Sequence, residues 1–153
     1  AEKAGVSPTA FYRHFKNKTD LKTELIRRGY GLIEERRESS DKFSSYGAKY
    51  IRFGLDYPNI YDLMFGPMDP DMSLVPDLQM QSKAAFDGLI EGLKPFMPDE
   101  TERAIRIKAI NIWASVHGLV GLLRSGDAHD GKSEELEWIR NNLETYLEMT
   151  TFK

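Results

Sequence analysis

The stretch GVSPTAFYRHFKNKTDL, residues 5 to 21, decides the reading of this chain. Ser7 is a natural N-cap, and Pro8 suits the first helical position because its missing N–H is one of the orphans there anyway. A short helix is therefore expected from residue 8 to about 15. Phe11 and Phe15 stand four apart and share one face, which must be buried. The opposite face carries Thr9, Ala10 and Arg13, flanked by Tyr12 and His14. Ala4, Gly5 and Val6 precede the cap as a small residue, a residue free to take positive φ and an apolar plug. A tight glycine turn before a short second helix is the pattern of a helix-turn-helix. The second helix of that motif enters the DNA major groove and presents its N-terminal side chains to base edges.

The following residues extend the same reading. Asn17 can cap the next helix, with Asp20 at its N3 position, and Lys18 falls in the first turn. A helix N-terminus with a lysine suits a phosphate. Tyr12 and His14 can donate to phosphates, Thr9 and Ala10 can touch thymine methyls, and Arg13 can read guanine or grip a phosphate. The competing reading makes Phe11, Tyr12 and Phe15 ordinary core aromatics. It requires the cap, the turn, the small face and the lysine to coincide by chance.

Charge supports a specialised N-terminal end. Through Arg37 there are nine Lys/Arg against five Asp/Glu, and beyond it twelve against nineteen. A basic end on an acidic body suggests that one end meets an anion. The 153 residues suit one domain, or one with a small appendage, and a hydrophobic content of 41% can build a core without staples. There is no cysteine, which excludes disulfide and thiolate chemistry and is compatible with a cytoplasmic location. No apolar run approaches the roughly 18 residues of a membrane span. The first residue is Ala1 and helix formers follow at once, so the chain is expected to begin partway through an element.

The periodicity predicts an all-α protein. Leu21, Leu25, Leu32 and Ile33 mark a helix over about 18 to 38. Phe43, Tyr46, Tyr50, Phe53 and Tyr57 mark a second, up to Pro58, which opens a short helix through Phe65. GPMDPDMSLVP, 66 to 76, reads as a loop. Leu78, Phe86, Leu89, Ile90 and Leu93 stripe the next helix, closed by Pro95 and Pro98. Asp99 with Glu102 resembles an N-cap and its N3 partner, opening a helix to about 125 with an apolar stripe of Ile105, Ala109, Ile112, Val116, Leu119 and Leu123. GDAHDGKS, 126 to 133, is a polar turn. One last helix carries Leu136, Ile139, Leu143, Tyr146 and Leu147.

The segment AGVSPTAFYRHFKNKTDL, 4 to 21, resembles the turn, recognition helix and following helix of the TetR/AcrR family of transcriptional regulators. YPNIYDLMF, 57 to 65, and IWASVHGLVGLLRSG, 112 to 126, resemble two later stretches of that family, the second being the Trp-x-x-x-His-Gly (WHG) helix of one class of its C-terminal domain. The resemblance implies an all-helical homodimer with a helix-turn-helix head over residues 1–37, including the connecting helix, and a ligand-binding and dimerisation body over 38–153. It places DNA contacts at Ser7, Pro8, Thr9, Ala10, Tyr12, Arg13, His14 and Lys18, on a pseudo-palindromic operator. The family's first helix and most of its second lie before Ala1, so the head is expected to be incomplete and to bind DNA poorly as written.

In the body, Tyr46, Tyr50, Phe53, Met64, Phe65, Met68, Phe86, Trp113 and His117 are candidate walls of a pocket for an apolar or aromatic effector. Aromatic stripes at helical spacing also serve as plain core, and His117 also reads as a hydrogen-bonded structural histidine. Ala114, Gly118 and Gly121 form a small-residue track; with Trp138, Tyr146 and Leu147 they are the candidate dimer seam. The expected function is a ligand-responsive regulator, most simply a repressor released by its effector. The alternative is a helical homodimerisation module without ligand or DNA function. An enzyme ranks third: there is no glycine-rich phosphate loop and no His/carboxylate metal spacing, and Asp127, His129 and Asp130 read as solvated loop residues. No cofactor or metal is expected.

Overall fold

A computed structural model describes residues 15–36, 38, 42–66, 75–125 and 134–151. The expected recognition helix, the loop around 67 to 74 and the turn at 126 to 133 lie outside these residues. The described residues form α-helices joined by short connections, with one 3-10 turn and no strand among them.

Helix α1, Lys18–Glu35, begins as its sequence dictates. Asn17 is extended, its Oδ1 accepts from the Asp20 N–H at 2.8 Å, and Asp20 Oδ2 accepts from the Lys16 N–H at 3.0 Å. Two N-terminal donors are thereby satisfied reciprocally. The helix stops at Glu35 rather than near 38. Glu34 and Glu35 put negative charge at the negative end of the helix dipole, and no basic residue occupies the last turn. The buried face is Ile26, Gly29 and Ile33, whereas Leu25 is 37% exposed. The expected leucine stripe is thus rotated, because the inward face is centred on a glycine that lets a neighbouring helix approach.

Helix α2, Phe43–Asp56, ends where Tyr57 leaves the helical region at φ −124° and ψ 57°. The residue before a proline is kept out of the α conformation, and Pro58 then opens α3, Pro58–Phe65. Helix α4, Pro76–Leu93, runs into a 3-10 turn at Lys94–Phe96. Helix α5, Glu102–Ser125, is capped by Thr101, whose Oγ1 accepts from the Ala104 N–H at 3.2 Å. Asp99 does not cap it: Glu100 N–H bonds back to Met97 O in a turn around Pro98, which moves the start two residues on.

The expected single last helix is two, α6 at Glu134–Asn141 and α7 at Leu143–Thr150. Asn142 breaks the ladder. Its backbone lies at φ −132° and ψ 42°, and its Nδ2 donates to Trp138 O at 2.8 Å. Asparagine side chains offer the backbone this alternative to helix, and a side chain inserted into the ladder produces the kink.

Helix α2 is enclosed. Ile51 and Phe53 have no exposed area and Gly54 is also buried, so α2 is covered well beyond one stripe, chiefly by α5 and α7. The α5 side supplies Val116, Leu119, Val120 and Leu123; the α7 side supplies Leu143 and Leu147. Helix α1 lies against α3, and its buried residues belong to this same core. A smaller core of Ile90, Leu93, Ile105 and Ala109 joins α4 to the start of α5. Of the apolar stripe expected on α5, Ile105, Ala109, Val116, Leu119 and Leu123 are buried and Ile112 is half-buried, with Val120 added.

Candidate functional site

Trp113 and His117 are four apart on α5, so both rings project from one face toward α2 and α3. Their centroids are 5.5 Å apart. His117 also meets Phe65 at 4.7 Å, Tyr61 at 5.5 Å and Tyr50 at 5.9 Å. Phe86 of α4 joins through Trp113 at 5.2 Å, and Tyr30 of α1 through Phe65 at 6.4 Å. Five helices therefore deliver rings to one cluster, in edge-on and tilted pairs of the kind aromatic quadrupoles favour.

The polar atoms of this cluster are mostly paired among themselves. Tyr61 Oη and His117 Nδ1 are 2.5 Å apart, and the Tyr50 hydroxyl lies toward Trp113. Tyr30 is hydrogen-bonded to Ser82 of α4. His117 Nε2 is buried with no hydrogen-bond partner. Burial pulls the imidazole down to about 4, so it is neutral at physiological pH, and burial raises the Tyr30 hydroxyl and pushes those of Tyr50 and Tyr61 well above their ordinary range.

One charged pair borders the rings. Arg124 of α5 holds Asp62 of α3 bidentately at 2.5 and 2.7 Å. The Arg124 guanidinium holds the Asp62 carboxyl below the usual carboxylate range through those bonds. Helix α3 is thus fixed to α5 by Tyr61–His117 and Asp62–Arg124 on adjacent residues, while Ile60 and Met64 face Gly29 of α1.

Of the candidate pocket residues, Tyr50, Phe65, Phe86, Trp113 and His117 come together in this cluster and are half-buried. Tyr46 is half-buried against the same core. Phe53 has no exposed area and Met64 is buried against α1, so both fill core rather than border a recess. Met68 lies outside the described residues. Tyr61 and Tyr30 were not among the candidates. The signal for Tyr61 was its place in YPNIYDLMF, three residues from Pro58; its pairing with a histidine 56 positions away had no local signal.

Of the candidate DNA contacts, Ser7, Pro8, Thr9, Ala10, Tyr12, Arg13 and His14 lie outside the described residues. Lys18 is the first residue of α1 and is exposed. Of the seam candidates, Ala114, Gly118 and Gly121 are exposed along one face of α5, in line with the exposed Ile107, Ile110 and Leu122. A Cβ added at Gly118 or Gly121 would meet nothing within 4 Å. Trp138 is 45% exposed and Tyr146 half-buried. Leu147 is a core residue of the single chain, packed on Gly47 of α2.

Residues 43–139 match the sequence profile described as tetracyclin repressor-like, C-terminal domain, and residues 1–25 match that of bacterial regulatory proteins, tetR family. The first match spans well over half of the chain, and the chain belongs to the TetR family. It is a ligand-responsive transcriptional regulator, as the paired N- and C-terminal domains imply. Regulators of this family bind DNA operators, dimerise and bind small-molecule effectors. No curated protein and no solved structure gives a match to the chain. Among the described residues, no helix is long and apolar enough to cross a membrane.

Proposed function

We propose that this protein is a repressor, released from its operator when a small apolar or aromatic molecule binds at the ring cluster around His117. The reading rests on one observation: α3 touches that cluster with one face and the connecting helix with the other. Tyr61 faces His117, while Ile60 and Met64 press on Gly29 of α1. An effector seated among Tyr50, Phe65, Phe86 and Trp113 displaces α3, and the Ile60 and Met64 side chains seated on Gly29 carry the displacement to α1.

Residues 1–37 then form the DNA-binding region and connecting helix, and 38–153 the sensing and dimerisation body. Ser7, Pro8, Thr9, Ala10, Tyr12, Arg13, His14 and Lys18 are the proposed DNA contacts. Two recognition helices must lie about 34–36 Å apart to enter successive major grooves. A tilt of α1 changes that spacing. Coupling of about 1–3 kcal/mol changes affinity by about 5- to 150-fold.

The second copy is proposed to pack on the exposed face of α5 through Ala114, Gly118 and Gly121, with Ile107, Ile110, Leu122 and Trp138 around them. Glycine inside a helix costs about 0.5–1 kcal/mol relative to alanine. Among the described residues nothing uses the space at Gly118 and Gly121, whereas a partner helix can. The reading assigns no catalytic step and no cofactor, and it places the protein in the cytoplasm, with the DNA.

The test is fluorescence anisotropy of a promoter fragment with the full regulator, across a salt series. Salt-dependent binding that apolar compounds release supports the reading. Negligible binding at low salt removes it and leaves the dimerisation module.

A further inference from the structure

The effector reading above leaves its chemistry open between any apolar molecules of the right size. We propose that the effector is an uncharged aromatic alcohol whose hydroxyl hydrogen-bonds to His117 Nε2. This inference rests on the reading of the ring cluster as the effector site.

Three observations lead to it. First, the rings contact one another yet do not close. Tyr30, Tyr50, Phe65, Phe86, Trp113 and His117 all keep partial exposure, while Phe53, Tyr61 and Met64 beside them are buried. Large rings packed as solid core lose that area, so these rings keep apolar surface that a guest can still cover. Flat apolar walls of this kind suit an aromatic guest.

Second, Nε2 is the polar atom left over. Tyr61 occupies Nδ1. Nε2 is buried and, among the described residues, unpartnered, so a guest hydroxyl reaches it as the neighbouring rings part. A buried polar atom left without a bond is costly, so a guest that supplies one gains from it.

Third, the imidazole is neutral, so one ring nitrogen carries a proton and the other a lone pair. The bond to Tyr61 exists in either tautomer. Nε2 is accordingly a donor in one case and an acceptor in the other, and a hydroxyl can meet either. An ion could match one tautomer too, but it would bring a charge among the rings without a counter-charge, which burial penalises. The nearby charges do not favour an ion either. Arg124 and Asp62 neutralise each other bidentately, and Arg106 stands 5.9 Å over the Phe86 ring with its side chain half exposed.

The experiment is an NMR-detected titration of the isotope-labelled protein with three probes of one shape: p-cresol, toluene and p-toluate. The expected result is that p-cresol binds about 5- to 10-fold tighter than toluene, the worth of one hydrogen bond, and that p-toluate is the weakest. The His117 imidazole nitrogen shifts move with p-cresol and not with toluene. His117→Phe abolishes the preference for p-cresol, and His117→Asn retains it. Where His117→Phe does not fold, the imidazole shifts of the unaltered protein decide.

Equal binding of toluene and p-cresol overturns the hydroxyl inference and leaves an apolar effector site standing. Tighter binding of p-toluate overturns the neutrality. If none of the three perturbs the Trp113 or His117 signals, the ring cluster is not the effector site and the reading beneath falls too.

Discussion

Gly29 of the connecting helix lies so close to α3 that an added Cβ would stand 2.8 Å from Ile60 Cγ2 and overlap Met64 Sδ. Real Cβ contacts are not that short, so the Ile60 and Met64 side chains occupy the space that a Cβ at Gly29 would need. Gly29→Ala should therefore cost about 1–3 kcal/mol, the range for overpacking, even with the Met64 side chain free to shift. Urea unfolding checks this. A neutral or stabilising result would show that α1 and α3 slide apart easily, and α3 would lose its proposed role as the link to the DNA-binding end.

Tyr61→Phe keeps the ring packing and removes the hydroxyl 2.5 Å from His117 Nδ1. With Nε2 already unpartnered, the imidazole then has neither nitrogen bonded. The expected loss is about 1–3 kcal/mol, the penalty for stranding a buried polar group. Equilibrium denaturation of the variant against the parent measures it. An unchanged midpoint would mean that water takes the place of the hydroxyl without penalty.

His117 also sets an acid sensitivity. Its folded-state pKa, about 4, lies below the ordinary histidine value of 6.5. Between those values the unfolded chain binds a proton that the folded chain refuses, so stability rises with pH across the window. At neutral pH the imidazole contributes no penalty; as pH falls from 6.5 toward 4 the penalty grows, on the order of 2 kcal/mol after allowing for partial exposure. Asp62 acts lower. Its pKa is depressed by Arg124, so its contribution is present above the ordinary carboxylate range and lost as pH falls through the depressed value. His117→Asn should flatten the pH 4–6.5 slope and leave the more acidic one. Melting temperature across pH in both proteins reads this, and an unaltered slope in the variant would assign it elsewhere.

Gly118→Ala should separate monomer stability from association. Among the described residues the new methyl meets nothing, and it improves helix propensity by about 1 kcal/mol, so the isolated subunit gains stability. Against a partner helix the same methyl forces the backbones apart and weakens the dimer. Sedimentation equilibrium, with melting at two concentrations, detects the opposite signs. A dimer as tight as the parent's would move the proposed seam off this face of α5.

Much of the helical order could be read from local chemistry. Asn17 with Asp20, Pro58 after Tyr57, and the stripe from Ile105 to Leu123 each act within a few residues, and the structure realises each of them. Local reading failed where two local rules competed or a partner intervened. Pro98 moved the cap of α5 from Asp99 to Thr101. Asn142 spent its side chain on Trp138 O and split the last helix. Leu25 and Ile26 are equally apolar, and only the approach of α3 to Gly29 decided which was buried.

The sequence by itself determined the helices, most of their ends and the aromatic, methionine and glycine positions, because caps, prolines and 3.6-residue periodicity act over one or two turns. Tertiary structure alone decided that His117 would be bonded to Tyr61, that Asp62 would be clamped by Arg124, and that Phe53, Met64 and Leu147 would be core. Those outcomes depend on which helix faces which. Side chains some 60 positions apart meet only through the summed packing of every helix between them, and no local pattern encodes that sum.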